Sequence, residues 1–155
     1  MAHWYYLRTG SKGPDFPVIG SKRFVKERNV MEPIFVARTQ HEGNLLVGYA
    51  VNGVGHFPYK GNVVKKNEDY QVLSSRTKEE RRYNFSDIKL DRLSQALQAG
   101  HMTDFFGQIP LYIGRAKVDE THLFGPILNG ICHIALDDRV VRSYKFQTLL
   151  PRPDL

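Results

Sequence analysis

Pro33-Ile34-Phe35-Val36-Ala37-Arg38-Thr39 stands 77 positions before Pro110-Leu111-Tyr112-Ile113-Gly114-Arg115-Ala116, and the two runs line up, identical at the proline and the arginine and mostly conservative between. Holding that offset brings Leu46 to Leu123, Gly48 to Gly125, Asn52-Gly53 to Asn129-Gly130, His56 to His133 and Val63-Val64 to Val140-Val141. With Pro33/Pro110 and Arg38/Arg115 these make nine identities in 32 ungapped positions. Most mismatches keep their chemistry, as in Ile34/Leu111, Phe35/Tyr112 and Glu42/Asp119. Such order at a fixed offset is the mark of one module used twice. A gap of three then sets Tyr70 opposite Tyr144.

Outward from these runs the signals are those of strands. Ile34–Ala37 and Leu111–Gly114 are short, apolar, β-branched and aromatic. Leu45–Val51 reads as a strand broken at Gly48. Asn52-Gly53 and Asn129-Gly130 are hairpin turns, because a type I′ turn needs positive φ at both central residues. Val54–Tyr59 and Ile131–Leu136 return as partner strands, and Tyr70–Leu73 and Tyr144–Phe146 close the two units. Aromatic residues open each unit, Trp4-Tyr5-Tyr6 in one and Tyr83 and Phe85 in the other, before the small-residue turns Val18-Ile19-Gly20 and Gln98-Ala99-Gly100. One segment dissents: Ser86 to Leu97 has an N-cap, an acid in the first turn and Leu90, Leu93 and Leu97 on one face, so a short helix is expected within 86–98. The expected fold is mainly β, two pseudo-symmetric antiparallel β modules packed as one compact unit. Their bounds are 1–75 and 83–155, and the charged run Arg76–Arg82 between them reads as a solvated linker.

Of the 155 residues, 41% are apolar, enough for a sizeable core, and the formal charge is +6, which favours anionic partners. Cys132 is the one cysteine, so no internal disulfide forms; in the apolar run Ile131–Ala135 it reads as a packed residue. No stretch approaches the roughly 20 apolar residues of a membrane span, so no membrane insertion is expected. Met1–Tyr6 carries no secretory signal, so the expected location is cytoplasmic, or outside by a route the sequence does not show. No metal-ligand spacing, phosphate-cradling glycine loop or nucleophile elbow is present, so neither a cofactor nor catalysis is expected.

The repeated pattern resembles the DM9 repeat family. The first unit carries it in Pro33–Arg38, His41–Leu46, Phe57-Pro58-Tyr59-Lys60-Gly61 and Tyr70–Leu73; the second keeps Pro110–Ala116 and the lead-in Ala99-Gly100-His101. The resemblance implies a tandem of intimately packed β modules and a lectin-like role in innate pattern recognition, with mannose-type glycans as ligands. It also implies two sugar-binding positions per unit, an acid in the lead-in and a lysine in a P-G-K turn. Here that turn reads Val47-Gly48-Tyr49 and Phe124-Gly125-Pro126, without lysine in either copy. Lys22 and Met102 stand at the lead-in position, with Asp104 close by.

A sugar site needs polar groups for vicinal hydroxyls and an aromatic or apolar face for the ring. The candidates are Tyr49, which takes the lysine's place, with Asp104, His101, Lys22 and Glu42 around it; taken singly, each reads more readily as an ordinary loop residue. Arg38 and Arg115 recur as structural donors, and His56 and His133 as sheet histidines. Three functions stay open: a glycan-binding module, with avidity from two sites or from a homodimer; a protein-interaction scaffold that has lost the sugar site; and a basic module for anionic glycans, with nucleic acid the less favoured partner.

Overall fold

The computed structural model describes residues 3–7, 19–74, 84–87 and 90–150. Tyr83, Val18 and the run Arg76–Arg82 lie outside them. Seven strands form the first copy: β1 (His3–Leu7), β2 (Ile19–Val25), β3 (Val30–His41), β4 (Asn44–Val51), β5 (Val54–Tyr59), β6 (Asn62–Lys66) and β7 (Tyr70–Ser74). Seven more repeat them: β8 (Asn84–Ser86), β9 (Gln98–Asp104), β10 (Gly107–Val118), β11 (Thr121–Leu128), β12 (Ile131–Leu136), β13 (Arg139–Ser143) and β14 (Gln147–Leu150). The strands join in one curled antiparallel sheet, as the sequence pattern predicts. No helix among the described residues is long and apolar enough to cross a membrane.

The twelve-residue strands β3 and β10 are the spines. Each pairs with the lead-in strand, the following strand and the closing strand of its own copy. Asn52 and Asn129 take φ of 52° and 53°, and Gly53 and Gly130 follow at 76° and 75°, as the Asn-Gly turns require. Gly48 does not break its strand; β4 runs through it. A Cβ there would lie 2.0 Å from the His56 carbonyl oxygen, and at Gly125 1.7 Å from that of His133. Both glycines exist because the next strand's backbone crosses at contact distance.

The copies are intertwined. The lead-in strand β9 pairs with β4 of the other copy at Leu45↔His101, and among the described residues β2 lies close to β11 without forming a ladder with it. One core is shared: Ile34, Val36, Val47, Tyr49 and Leu73 pack with Leu111, Ile113, Phe124, Cys132, Ile134 and Leu149. A smaller cluster, Ala37, Leu46, Ala50, Phe57, Tyr59, Tyr70 and Val72, belongs to the first copy. Cys132 is fully buried in the shared core, and burial pushes its thiol up to about 12, so it packs as an apolar side chain.

Two local expectations are sharpened. The short helix expected within 86–98 is a single 3-10 helix, Leu90–Gln95; Leu97 packs on the shared core while Leu90 is 58% exposed, and Gln98 already begins β9. Tyr144 is exposed and precedes the closing strand β14. The ladders set Gln71 opposite Arg38 and Gln147 opposite Arg115, so the gap between the copies is one residue and Phe146 stands where Tyr70 does.

Two unequal clefts

The same three-part clamp recurs in both copies. Arg38 Nε donates to Gln71 Oε1 at 2.7 Å while its guanidinium lies 4.2 Å from the Trp4 ring centroid. Arg115 Nε donates to Gln147 Oε1 at 3.1 Å and lies 4.3 Å over Phe85. Arg38 Nη1 also donates to the Ala99 carbonyl of the other copy at 3.1 Å, and burial lowers its pKa to about 10. A planar donor fork under an aromatic ring explains why each copy keeps its arginine and opens on aromatic residues.

Two pseudo-equivalent clefts form where the copies meet. One is lined by Arg23, Tyr49, Val51, His56, Leu136 and Asp137, with Asp119 and Thr121 beside them. The other is lined by Met102, Pro126, Leu128, His133, Tyr59 and Lys60, with Pro58, Gly61, Val140 and Arg142 beside them. The repeat relates them position by position: Tyr49 to Pro126, Val51 to Leu128, His56 to His133, Leu136 to Tyr59 and Asp137 to Lys60. Arg23 corresponds to Met102, because they stand opposite Glu32 and Ile109 in equivalent ladders.

The clefts differ in volume, about 160 Å³ against about 500 Å³. Small-molecule sites span roughly 300–1,000 Å³, so only the second is of ligand size. Tyr49 accounts for the difference. Its ring stacks on His56 at 4.9 Å and 19°, and its hydroxyl donates to the Ala135 carbonyl at 2.5 Å. It is 5% exposed, and burial raises its pKa to about 12, so it stays protonated and keeps that bond. Pro126 has neither the bulk nor the hydroxyl to close the other cleft. Arg23 is likewise engaged, bound at 2.8 Å to Glu32, whose carboxyl Arg23 and Arg28 hold below the usual carboxylate range.

The open cleft is stiff along one wall. Asn44 Nδ2 donates to the Tyr59 hydroxyl at 3.1 Å, and the Thr103 amide donates to Asn44 Oδ1 at 2.8 Å. The His41 ring meets Tyr59 edge-on at 5.2 Å, and the Lys60 ammonium lies 5.1 Å from its centroid. Opposite, His133 stands across the ladder from Arg142; burial lowers its pKa, and its hydrogen bond to the Leu128 backbone works against that shift. A third cavity of about 420 Å³ lies beside Arg115. Its one apolar wall is Phe146, while Arg115 is held by Gln147 and Lys117 by Glu120 at 3.3 Å. Among the described residues no cluster of three or more His, Cys, Asp or Glu could hold a metal.

The structure scatters the residues expected from sequence. Tyr49 lines the small cleft. Lys22 and His101 are equivalent, opposite Pro33 and Pro110, and neither lines a cleft. Asp104 ends β9, where its Oδ1 accepts the Phe106 amide at 2.8 Å and fixes the hairpin turn. Glu42 sits exposed in the β3–β4 turn at φ 49°, its carbonyl accepting from Asn44 at 3.2 Å. Glu42, His101 and Asp104 thus share the edge where β4 meets β9, apart from Tyr49. Sequence reasoning missed Tyr59, His133 and Arg142; the signal was the recurrence of His56 and His133 together with the change of Tyr49 to Pro126.

A model of the DM9 repeat matches residues 28–147. Among curated proteins no sequence matches the chain. Among solved structures, the nematode sperm cell motility protein MFP2B superposes with a TM-score of 0.66 at 16% identity, covering 100% of this chain and 48% of that one. The chain therefore spans about half the length of MFP2B, and the likeness shows a common fold. With the family match covering most of its length, the chain belongs to the DM9 repeat family.

Proposed function

We propose that this protein is a glycan-binding, lectin-like module with one working cleft per chain, and that its task is binding rather than catalysis. The observation that carries the reading is the pair of clefts: Tyr49 fills one, and Pro126 leaves its equivalent open at ligand size. The open cleft has what a sugar ring needs, an aromatic wall in Tyr59, apolar contacts from Met102, Pro126 and Val140, and hydrogen-bonding groups in His133 and Arg142. The reading accords with the lectin-like role that the resemblance to DM9 repeats implies.

The test is a glycan array read at low and high salt, with Pro126→Tyr as the blocking variant. Tyrosine there would occupy the open cleft as Tyr49 occupies the other. Wild-type protein is expected to bind a restricted glycan set, one per chain, and Pro126→Tyr to lose binding with an unchanged melting temperature. Equal binding by both proteins would place the glycan elsewhere and overturn the reading.

A second reading, an interaction scaffold, rests on the β9–β10 hairpin tip. Phe105 and Phe106 are 96% and 93% exposed there, an apolar pair of the kind that marks protein contacts. A blank array would favour it, in keeping with a fold neighbour described as a motility protein.

A further inference from the structure

The clefts differ in charge as well as volume. The small one carries Asp119 and Asp137 with Arg23. Beside it Lys65 Nζ lies 3.2 Å from Asp138 Oδ1 across the two copies. By the repeat, Lys65 corresponds to Arg142, Asp137 to Lys60 and Asp138 to Gly61. The open side therefore has neither of these acids and carries a lysine at the position of one. Lys60, His133 and Arg142 line the open cleft, and no Asp or Glu does. Among the described residues neither Lys60 nor Arg142 forms a salt bridge.

This arrangement is poorly made for a neutral sugar. Neutral rings are gripped through vicinal hydroxyls, which donate to carboxylates or amide oxygens, and the cleft lining offers neither side chain. A guanidinium and an ammonium carry donors only, and they are matched by acceptors that bear charge. Tyr59, Pro126 and Met102 meanwhile supply the apolar face that a bare inorganic anion would not need.

Building on the glycan-binding reading, we propose that the open cleft takes an anionic sugar, a ring carrying a carboxylate, sulfate or phosphate group. Arg142 and Lys60 face the charged group, the ring lies along Tyr59 and Pro126, and His133 hydrogen-bonds a hydroxyl. The neutral residue Gly61 leaves the approach free of the carboxylate that Asp138 places at the other cleft.

The test uses sugars that differ only at C6, with a bare anion beside them. Chemical-shift titrations of the whole chain compare glucose, glucuronic acid, glucose 6-sulfate and inorganic sulfate, at low and at high salt. The acidic sugars are expected to saturate at concentrations about ten-fold or more below glucose, with shifts at Met102, Tyr59 and His133. High salt should weaken them, since both cations are exposed. Arg142→Gln with Lys60→Gln should abolish the ten-fold preference, and the exposed positions leave folding intact. Glucose binding at the cleft as tightly as glucuronic acid would overturn the anion preference and leave the glycan reading standing. Inorganic sulfate matching glucose 6-sulfate would overturn the part played by the ring. No shift at the cleft with any sugar would overturn both readings.

Discussion

His56 carries more than its place in a strand suggests. Its ring is stacked on Tyr49, its Nδ1 has no hydrogen-bond partner among the described residues, and it lines the small cleft. Burial lowers its pKa from 6.5, helped by Lys65 and Arg23 and opposed by Asp137. A lowered histidine binds fewer protons folded than unfolded, so its contribution is complete above about pH 6.5 and is lost as pH falls toward the folded value. His122 and His133 are lowered too and act with the same sign. Melting temperature should therefore fall from pH 7 to pH 5, and His56→Phe, which keeps the stack and removes the unpaired nitrogen, should flatten that slope without abolishing it. A slope unchanged in the variant would show that His56 is not one of the groups titrating. At this scale the sequence was partly readable. The recurrence of His56 and His133 amid apolar neighbours marked them as sheet residues. Whether Tyr49 stacks on a ligand or closes a cleft was not readable, because its partner Ala135 lies 86 residues away.

Hairpins are the elements that the sequence disclosed best, since Asn52-Gly53 and Asn129-Gly130 need positive φ wherever they occur. The same logic misled at Gly48, where the residue meant close approach of a neighbour and not an interruption. The leucine spacing marked a short helix where the 3-10 turn Leu90–Gln95 stands, but only part of its face is covered: Leu97 packs on the core and Leu90 is 58% exposed. These two kinds of glycine make opposite demands. A Cβ at Gly48 or Gly125 meets a carbonyl oxygen of the next strand, which moves only if the ladder does. One at Gly53 meets nothing within 4 Å and suffers only from its φ of 76°. Gly48→Ala and Gly125→Ala should each cost about 3 kcal/mol or more, against about 1 kcal/mol for Gly53→Ala. Urea denaturation checks the order; equal costs for the three would mean that the crossing strands yield easily.

For the molecule as a whole, the decisive fact is that the repeat boundary in sequence is not a boundary in the core. The linker composition and the 77-residue offset suggested two modules, 1–75 and 83–155, and both cleft walls and the shared core take residues from each. The open cleft joins Pro58–Gly61 of the first copy to Met102, Pro126, His133 and Arg142 of the second. No local pattern could announce such a site, whose walls lie 41 to 84 residues apart along the chain. The division of the core makes the copies unequal. The first keeps a cluster of its own around Phe57 and Tyr70, whereas every cluster that holds second-copy residues also needs Ile34, Val36 and Tyr49. Segments of this size bury a smaller share of their surface than a domain of the full length and are marginal even when intact. We predict that the fragment 83–155 alone shows no cooperative thermal transition. The fragment 1–75 should be at most marginally folded, and mixing the two should restore the native circular dichroism and a single transition. Binding of an acidic sugar should return only in the mixture, because neither fragment holds both walls of the open cleft. A cooperative transition in 83–155 alone would show that β8–β14 fold without the strands that interleave with them, and the copies would then be domains in their own right.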